Sequence, residues 1–337
     1  MANLKEVRTR IESVNSTKPI TSAMKMVAAS KLRKSQNAIM ALRPYAEKFS
    51  EIMEAVSKST SQRDNETTSS RDTEAQSRGV AKFFFQNSSL NNQQLERVLL
   101  IPVSSNKGLC GVFNANVIRA TINLIKEEYQ ELYDKGNVDI LCIGAKVEES
   151  LKFKKYAVIG NKNELLDKLT YDNIVPFAEM LMQYYNEGKY DRIVFVYNQF
   201  KNAATQILVT EQFLPIMSQR VNESTSQRDN ESTSQQVNES MSRDTSQQIQ
   251  SSDFIFQPSR EDILETMIPK SLKLQVYKIL LDSFASEQGA RMISMTQATD
   301  NATELLKELN LTYNKARQSA ITNELVEIVS GANAINN

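Results

Sequence analysis

The chain has 337 residues, enough for one large domain or two ordinary ones, and its 40 basic residues balance 40 acidic residues. It contains no histidine, which excludes Ser-His and Cys-His nucleophiles and histidine metal sites and makes an enzyme less expected. The two cysteines, Cys110 and Cys142, form no disulfide framework, and we expect two buried thiols in a reducing compartment. We expect no secretory signal and no membrane span, because the first residues are charged and amphipathic and the apolar runs are short.

The first 56 residues carry a seven-residue hydrophobic repeat. Counting in sevens from Leu4 and from Val7 gives sixteen positions, of which twelve are apolar, a pattern typical of a coiled coil. The polar exceptions are Lys18, Thr21, Lys25 and Ser35. In that zone we expect apolar contacts one position away, from Ile20, Met24 and Val27.

Two prolines lie within this helical pattern. Pro19 and Pro44 each remove a backbone hydrogen bond, so each should bend the helix or mark a local break. A helix over residues 3–56 would be roughly 80 Å long and would project from any globular domain of this size.

The same segment is cationic. Between Ser13 and Ala46 there is no Asp or Glu, and the positive charges are Lys18, Lys25, Lys31, Arg33, Lys34 and Arg43. A solvated helix face is the ordinary explanation of a lysine run. An acidic protein partner and a nucleic acid both remain alternatives, although the segment lacks the interleaved aromatic residues of a nucleic-acid-binding surface.

Two polar, repetitive tracts interrupt the chain at residues 57–80 and 218–252. The seven-residue sequence TSQRDNE occurs at 60–66 and again at 225–231. Such a composition buries too little apolar surface to offset the entropy of ordering, so both tracts are predicted to be disordered inserts.

Strands and helices alternate in the domain between the tracts, residues 81–217. Strands are predicted at 81–86, 97–103, 138–147, 156–160, 191–200 and 206–215. Helices are predicted at 115–137 and 173–189, with a short one after the strand at 138–147. The alternation indicates a Rossmann-like sheet of βαβ units with helices on both faces. The sequence KGLCG at 107–111 follows a strand but lacks the spacing of a phosphate-binding loop, and we interpret it as a tight turn.

The C-terminal segment, residues 253–337, is predicted to be one long helix. Ser259 is a candidate cap, with Asp262 at the third position. One apolar face contains Leu305, Leu309, Tyr313 and Ala316, with Leu306 and Ala320 beside it. A second apolar run contains Ile321, Leu325, Ile328, Ala332 and Ile335. The predicted fold is therefore α/β, with a long antiparallel coiled coil of the N- and C-terminal segments and a central α/β domain. The C-terminal helix is the longer, so its last turns should extend past the partner.

A family resemblance accompanies these patterns. Residues 285–335, from ASEQGARMISM to EIVSGANAI, resemble the C-terminus of the gamma subunit of bacterial rotary (F-type) proton-translocating ATP synthases. LKEVRTRIESVNSTKPITSAMKMVAASKLRKSQ resembles that family's start, and KGLCGVFN and RPYAE resemble two internal motifs. Pro19 and Val112 depart from the family pattern.

The resemblance implies a non-catalytic rotor shaft. One copy would stand inside a hexamer of alpha and beta subunits, with its α/β domain and an epsilon subunit on the ring of c subunits. It would lie peripherally at the cytoplasmic face of the inner membrane, without insertion, nucleic acid, cofactor or metal. Contacts with the hexamer would come from Met24, Lys25, Lys31, Arg33, Lys34, Arg317, Gln318, Ile321, Thr322, Leu325, Ile328 and Ile335.

Two other functions remain open from the residues alone. One is a nucleotide-binding enzyme built on the α/β domain, which the absent phosphate loop and histidines disfavour. The other is a free coiled-coil scaffold or nucleic-acid clamp, for which salt-sensitive binding to duplex DNA would be expected.

Overall fold

Two very long helices dominate the computed structural model, which describes residues 4–61, 96–216 and 260–335. Helix α1 spans Leu4–Ser61 and passes through Pro19 and Pro44 without a break. It ends beyond the predicted limit at 56, so the first residues of the polar tract extend the helix. The C-terminal helix spans Arg260–Ile335. The rest of both tracts, the strand predicted at 81–86 and the cap at Ser259 lie outside the described residues.

The two terminal helices pair in opposite directions, as predicted. The Oγ1 atoms of Thr21 and Thr299 are 2.9 Å apart. Further along α1, Lys31 lies within electrostatic reach of Glu287, an earlier residue of the C-terminal helix. The partners of α1 therefore come earlier in the C-terminal helix as α1 advances, which defines an antiparallel pair. We call this helix pair the shaft.

The heptad repeat of α1 forms its side of the seam. All of its positions from Leu4 to Leu42 are buried or half-buried, including the polar ones. The prediction that apolar residues one position away replace the polar heptad residues in the seam is wrong, because Ile20 and Val27 are 55% and 56% exposed. Met24, at 38%, is also on the outside. The helix keeps its register because Thr21 bonds across the seam, and because the long stems of the half-buried Lys18 and Lys25 let a lysine occupy a seam position with its ammonium group in water.

The C-terminal helix contributes a matching stripe with alternating spacings of four and three residues. Its buried or half-buried members are Met295, Thr299, Ala302, Leu306, Leu309, Tyr313, Ala316 and Ala320. Leu306 occupies the seam, and the prediction for Leu305 is wrong, since Leu305 is 43% exposed. From Ile321 to Gly331 every residue is exposed, so the helix extends past its partner as expected.

The central domain contains a five-stranded sheet between helices, which confirms the Rossmann-like prediction. Its strands are β1 (Val98–Pro102), β2 (Val138–Cys142), β3 (Val158–Asn161), β4 (Arg192–Phe200) and β5 (Gln206–Leu214). Their order is β3-β2-β1-β4-β5. Strands β1 to β4 are parallel, and β5 is antiparallel at the edge.

The helices of the domain differ from the prediction at two boundaries. They are α2 (Phe113–Glu128), α3 (Gln130–Asp134), α4 (Ala145–Phe153) and α5 (Tyr171–Asn186), and we number the C-terminal helix α6. The single helix predicted at 115–137 is interrupted at Tyr129, whose φ is −123°. The strand predicted at 138–147 ends at Cys142, because Gly144, with a φ of 104°, turns the chain into α4.

Each face of the sheet has its own apolar core. Val98 and Leu100 pack with α2 and α4, and Leu99 and Ile101 pack with α5 and the first part of α6. Full burial of such a side chain contributes roughly 2 kcal/mol. Helix α6 therefore belongs both to the domain, through Ile268 to Leu280, and to the shaft.

Helix α6 leaves the domain at the carboxyl edge of the sheet. Lys273 pairs with Glu179 in the middle of α5, at 2.5 Å. One turn later, the ring of Tyr277 meets that of Tyr171, the first residue of α5, with centroids 5.8 Å apart. Because α5 connects two parallel strands, it begins at the carboxyl edge, so α6 runs parallel to the strands and the shaft projects beyond that edge.

Candidate partner-contact surfaces

The carboxyl edge of the sheet, where α/β domains bind nucleotides, is filled by the chain's own groups. The first backbone N–H groups of α4 would be the phosphate donors. Those of residues 144 to 147 donate in order to Asn163 Oδ1, Asn106 Oδ1, Ser105 O and Ser104 Oγ. A Cβ on Gly144 would lie 2.5 Å from the Ser104 carbonyl oxygen, so no space remains there. This packing speaks against the nucleotide-binding alternative.

The KGLCG sequence forms a turn, as interpreted from its spacing. Leu109 and Gly111 have φ angles of 64° and 59°, in the left-handed region. The Ser105 hydroxyl closes the turn by donating to the Lys107 carbonyl at 2.6 Å. Arg291 of α6 donates to the Lys107 and Gly108 carbonyls at 3.1 and 3.4 Å. The turn therefore packs against the shaft rather than around a ligand.

The two cysteines are buried free thiols, as expected. Burial raises the pKa of the Cys142 thiol to about 12, with a smaller contribution from Glu148. A protonated, enclosed thiol is a poor nucleophile, so Cys142 serves as an apolar core group.

Across residues 4–61, 96–216 and 260–335, no group of three or more His, Cys, Asp or Glu side chains is placed to hold a metal ion. None of the helices in these ranges combines the length and the apolar character that crossing a membrane requires.

The predicted contact residues of α1 separate into two kinds. Lys31, Arg33 and Lys34 are exposed, and Met24 is 38% exposed. Lys25 is only half-buried because it occupies a heptad position. Arg33 and Lys34 are exposed outside the heptad positions, whereas Lys31 lies within electrostatic reach of Glu287 on α6.

The predicted contact residues of α6 lie on its free end. Arg317, Gln318 and Thr322 are exposed, and the Thr322 hydroxyl donates to the Gln318 carbonyl at 2.9 Å. The apolar members Ile321, Leu325 and Ile328 are 49%, 56% and 67% exposed. The side chain of Ile335 lies outside the described set.

These two groups of residues are not brought together. Lys31 lies within electrostatic reach of Glu287, whereas Arg317 comes thirty residues after Glu287 on α6, which is about 45 Å along a helix. The shaft therefore presents two separate levels. The cationic level lies near the α/β domain, and the mixed polar and apolar level lies at the far end.

The sequence did not reveal one polar cluster, formed by Glu287 and Arg291 where α6 leaves the domain. The i, i+4 spacing of an acid and a base was visible in the sequence. The burial of the pair was not visible, because Arg291 bonds to the 107–108 turn, which is distant in the sequence.

Comparisons with known proteins agree with this architecture. The family described as ATP synthase matches residues 3–335. The ATP synthase gamma chain of Flavobacterium psychrophilum is 45% identical over 335 residues, covering 99% of both chains. That of Cytophaga hutchinsonii is 43% identical over 337 residues, covering 100% of both.

Solved structures show the same fold at lower identity. A chain of the mitochondrial ATP synthase of Euglena gracilis, from the OSCP/F1/c-ring structure, has a TM-score of 0.61 and 19% identity. The alignment covers 98% of this chain and 94% of that one. A chain from the rotor of the same enzyme has a TM-score of 0.57. The chain therefore belongs to the family of ATP synthase gamma chains, non-catalytic subunits of that enzyme.

Proposed function

We propose that this chain couples rotation to nucleotide chemistry through the two levels of its shaft. At the cationic level, Arg33 and Lys34, together with Met24, Lys25 and Lys31 earlier on the same helix, contact acidic loops of the beta subunits. At the far level, Arg317, Gln318 and Thr322 contact the catalytic subunits, and Ile321, Leu325, Ile328 and Ile335 turn within a sleeve formed by the hexamer.

The observation that carries this proposal is the free end of α6. From Arg291, at the carboxyl edge of the domain, α6 continues to Ile335, about 65 Å at 1.5 Å per residue. Its last turns display apolar side chains that are 49% to 67% exposed. A rod of this length with an apolar tip fits an axial cavity in a surrounding assembly, because such side chains need burial against a partner.

The cationic level fits a contact that must be made and broken repeatedly. A solvated ion pair contributes only about 0–1 kcal/mol, so it can guide a neighbour without holding it. Coupling then requires that each angle of the shaft favours one state of a beta subunit, through contacts that differ between the states.

The remaining partners follow from the family. The α/β domain stands with an epsilon subunit on the c-subunit ring, one copy per complex, at the cytoplasmic face of the bacterial inner membrane. Proton flow turns the ring together with this chain.

The test compares two double charge reversals in assembled complexes in inverted membrane vesicles. R33E/K34E should lower ATP-driven proton pumping per ATP hydrolysed, because it places acids opposite acidic loops. The control R119E/K126E makes the same charge change at exposed positions of α2 and should pump normally. Normal pumping by R33E/K34E would remove the cationic level from the coupling mechanism.

A second measurement separates this function from the nucleic-acid clamp. Tagged chain isolated from its own membranes should bring alpha and beta subunits with it. Isolation without these subunits, together with salt-sensitive binding to duplex DNA, would favour the clamp.

A further inference from the structure

A buried ion pair lies where α6 passes from the domain into the shaft. The side chains of Glu287 and Arg291 are 9% and 15% exposed, and Arg291 Nη1 lies 2.5 Å from Glu287 Oε1. A second pair with the same i, i+4 spacing, Arg8 and Glu12, is 72% and 67% exposed. Of the two, only the Glu287–Arg291 pair is shielded from water. In such a buried site charges interact strongly, but each charge must be fully paired.

Arg291 also binds the domain. While Nη1 pairs with Glu287, Nη2 donates to the Lys107 and Gly108 carbonyls at 3.1 and 3.4 Å. The planar guanidinium can serve both sets of acceptors at once, which a lysine cannot do. One side chain thus connects α6 to the turn that follows β1.

Helix α1 reaches the same carboxylate. Burial raises the pKa of Glu287, whereas the positive charges of Arg291 and then of Lys31 oppose the rise. Glu287 therefore pairs directly with Arg291 and lies within longer electrostatic reach of Lys31 on α1. Nearby, α1 packs on α6 through the buried residues Ala28, Leu32 and Ser35.

Close backbone contacts enclose this section of α6 as well. A Cβ on Gly289 would lie 3.1 Å from the carbonyl oxygen of Ala203, in the turn between β4 and β5. A Cβ on Gly111 would lie 2.9 Å from the hydroxyl of Ser294. Turns from two strands thus hold α6 between residues 289 and 294, on either side of Arg291.

We propose that Glu287 and Arg291 are positioning residues that fix the rotational angle of both shaft helices relative to the α/β domain. This inference rests on the proposed function, because a fixed angle matters only if torque on the domain must reach the shaft. Helix α6 receives torque directly through the segment packed on the sheet. Near this cluster, α1 contacts α6 rather than the sheet, so it follows through the seam and through Glu287.

A buried charge that needs particular acceptors suits this task better than an apolar contact. Apolar ridges can shift to a neighbouring groove at small cost, whereas rotation of α6 past the 107–108 turn would deprive the buried Arg291 guanidinium of both carbonyl acceptors. Its pair with Glu287 lies within α6 and keeps the guanidinium aligned for those acceptors. The cluster therefore favours one particular angle of α6 relative to the domain and disfavours slippage away from it.

The test uses assembled complexes in inverted vesicles and measures ATP hydrolysis and proton pumping on the same preparation. R291Q should lose pumping per ATP severalfold while its hydrolysis persists, because the domain and shaft no longer turn in a fixed relation. R8Q, from the exposed pair, is the matched control and should pump as wild type. Wild-type coupling in R291Q would overturn the inference.

A conservative variant, R291K, keeps the inference testable if R291Q assembles poorly. R291K keeps a positive charge beside Glu287, but its single Nζ cannot take the place of both Nη1 and Nη2, so it should show a smaller loss of pumping per ATP. If R291Q does not assemble and R291K pumps as wild type, the inference is overturned.

A double-mutant cycle tests the contribution of α1. E287Q leaves Arg291 and Lys31 as neighbouring cations, so adding K31Q should recover part of the pumping that E287Q loses. Additive losses would show that α1 takes no part. If wild type and R8Q pump normally while these variants behave as wild type, this inference fails and the proposed function stands. If wild-type chain does not join a pumping complex, the proposed function itself fails.

Discussion

The α/β domain and the shaft are stabilised in different ways. In the domain, Val98 to Ile101 of the central strand are all 0% exposed, because helices cover both faces of the sheet. In the shaft, α1 buries fully only Val7, Ala28, Leu32 and Ser35 among its heptad positions from Leu4 to Leu42. A pair of helices can cover only one stripe of each member. The domain thus gains stability from burial, whereas the shaft leaves most of its surface exposed.

The largest effect is expected in the domain, at Gly144. G144A would place a Cβ 2.5 Å from the Ser104 carbonyl oxygen in a residue with a φ of 104°. We expect a loss of more than about 3 kcal/mol in the free energy of unfolding, measured by urea denaturation of the full chain.

The matched control for Gly144 is Gly136. It also has a positive φ, 76°, but a Cβ there meets nothing within 4 Å. G136A should therefore cost only about 1 kcal/mol, the conformational part alone. Equal losses in G144A and G136A would show that the close approach to Ser104 is unimportant.

The next largest effect is expected in the shaft seam, from two adjacent leucines. L306A removes a side chain that packs against α1 and should cost about 2 kcal/mol, at the lower limit for a buried leucine because the position is only half-buried. L305A, at a position 43% exposed, should cost less than about 0.5 kcal/mol. Hydrogen exchange of α1 amides reports the difference, and the reverse order would place the seam one residue away.

The leucine pair also shows what the sequence alone could determine. The α1 stripe followed from the spacing of its apolar residues, and the antiparallel pairing followed from two long helices at opposite ends of the chain. Leu305 was placed on the predicted apolar face and Leu306 beside it, because both are apolar and a single-chain pattern cannot choose between neighbours. The polar seam positions were misjudged because the Thr21–Thr299 contact joins residues 278 apart in sequence.

The functional surfaces were predictable to different degrees. The cationic residues of α1 were visible as an acid-free run, and the resemblance supplied the contact residues of α6. The role of Arg291 was not visible, because its acceptors are backbone carbonyls more than 180 residues away. Backbone acceptors leave no signature in side-chain composition.

A smaller effect is expected at Glu148, on the polar carboxyl edge of the domain. The Lys152 hydrogen bond, followed by those of Asn163 and Asn161, holds the pKa of Glu148 below its ordinary value. Its ionised form therefore stabilises the fold above the unfolded pKa, about 4.3, and this contribution is lost as the pH falls through the lower folded pKa.

E148Q should accordingly cost about 1 kcal/mol at neutral pH, since the side chain is 13% exposed and its bonds are charge-assisted. The difference from wild type should shrink as urea denaturation is repeated at pH values below about 4. A difference that is constant with pH would mean that the charge of Glu148 contributes nothing.

The smallest effect is expected at the exposed shaft pair Arg8–Glu12. R8A should change the free energy of unfolding by about 0–0.5 kcal/mol, because both side chains are largely in water. Raising the salt concentration should abolish even this difference. A larger loss, unaffected by salt, would indicate that Arg8 packs rather than pairs.

The pairing and joint rotation of the two terminal helices are tested most directly by a disulfide across the seam. In T21C/T299C the new thiols replace hydroxyl oxygens 2.9 Å apart, and both native cysteines are buried. Mild oxidation of the assembled complex should join the two ends of the chain and leave ATP-driven proton pumping intact, because the helices turn as one rod. M26C/T299C, which uses a residue 69% exposed on the outer side, should not cross-link. Failure of the seam pair to cross-link, or loss of pumping once it is joined, would contradict a shaft of two antiparallel helices that rotate together.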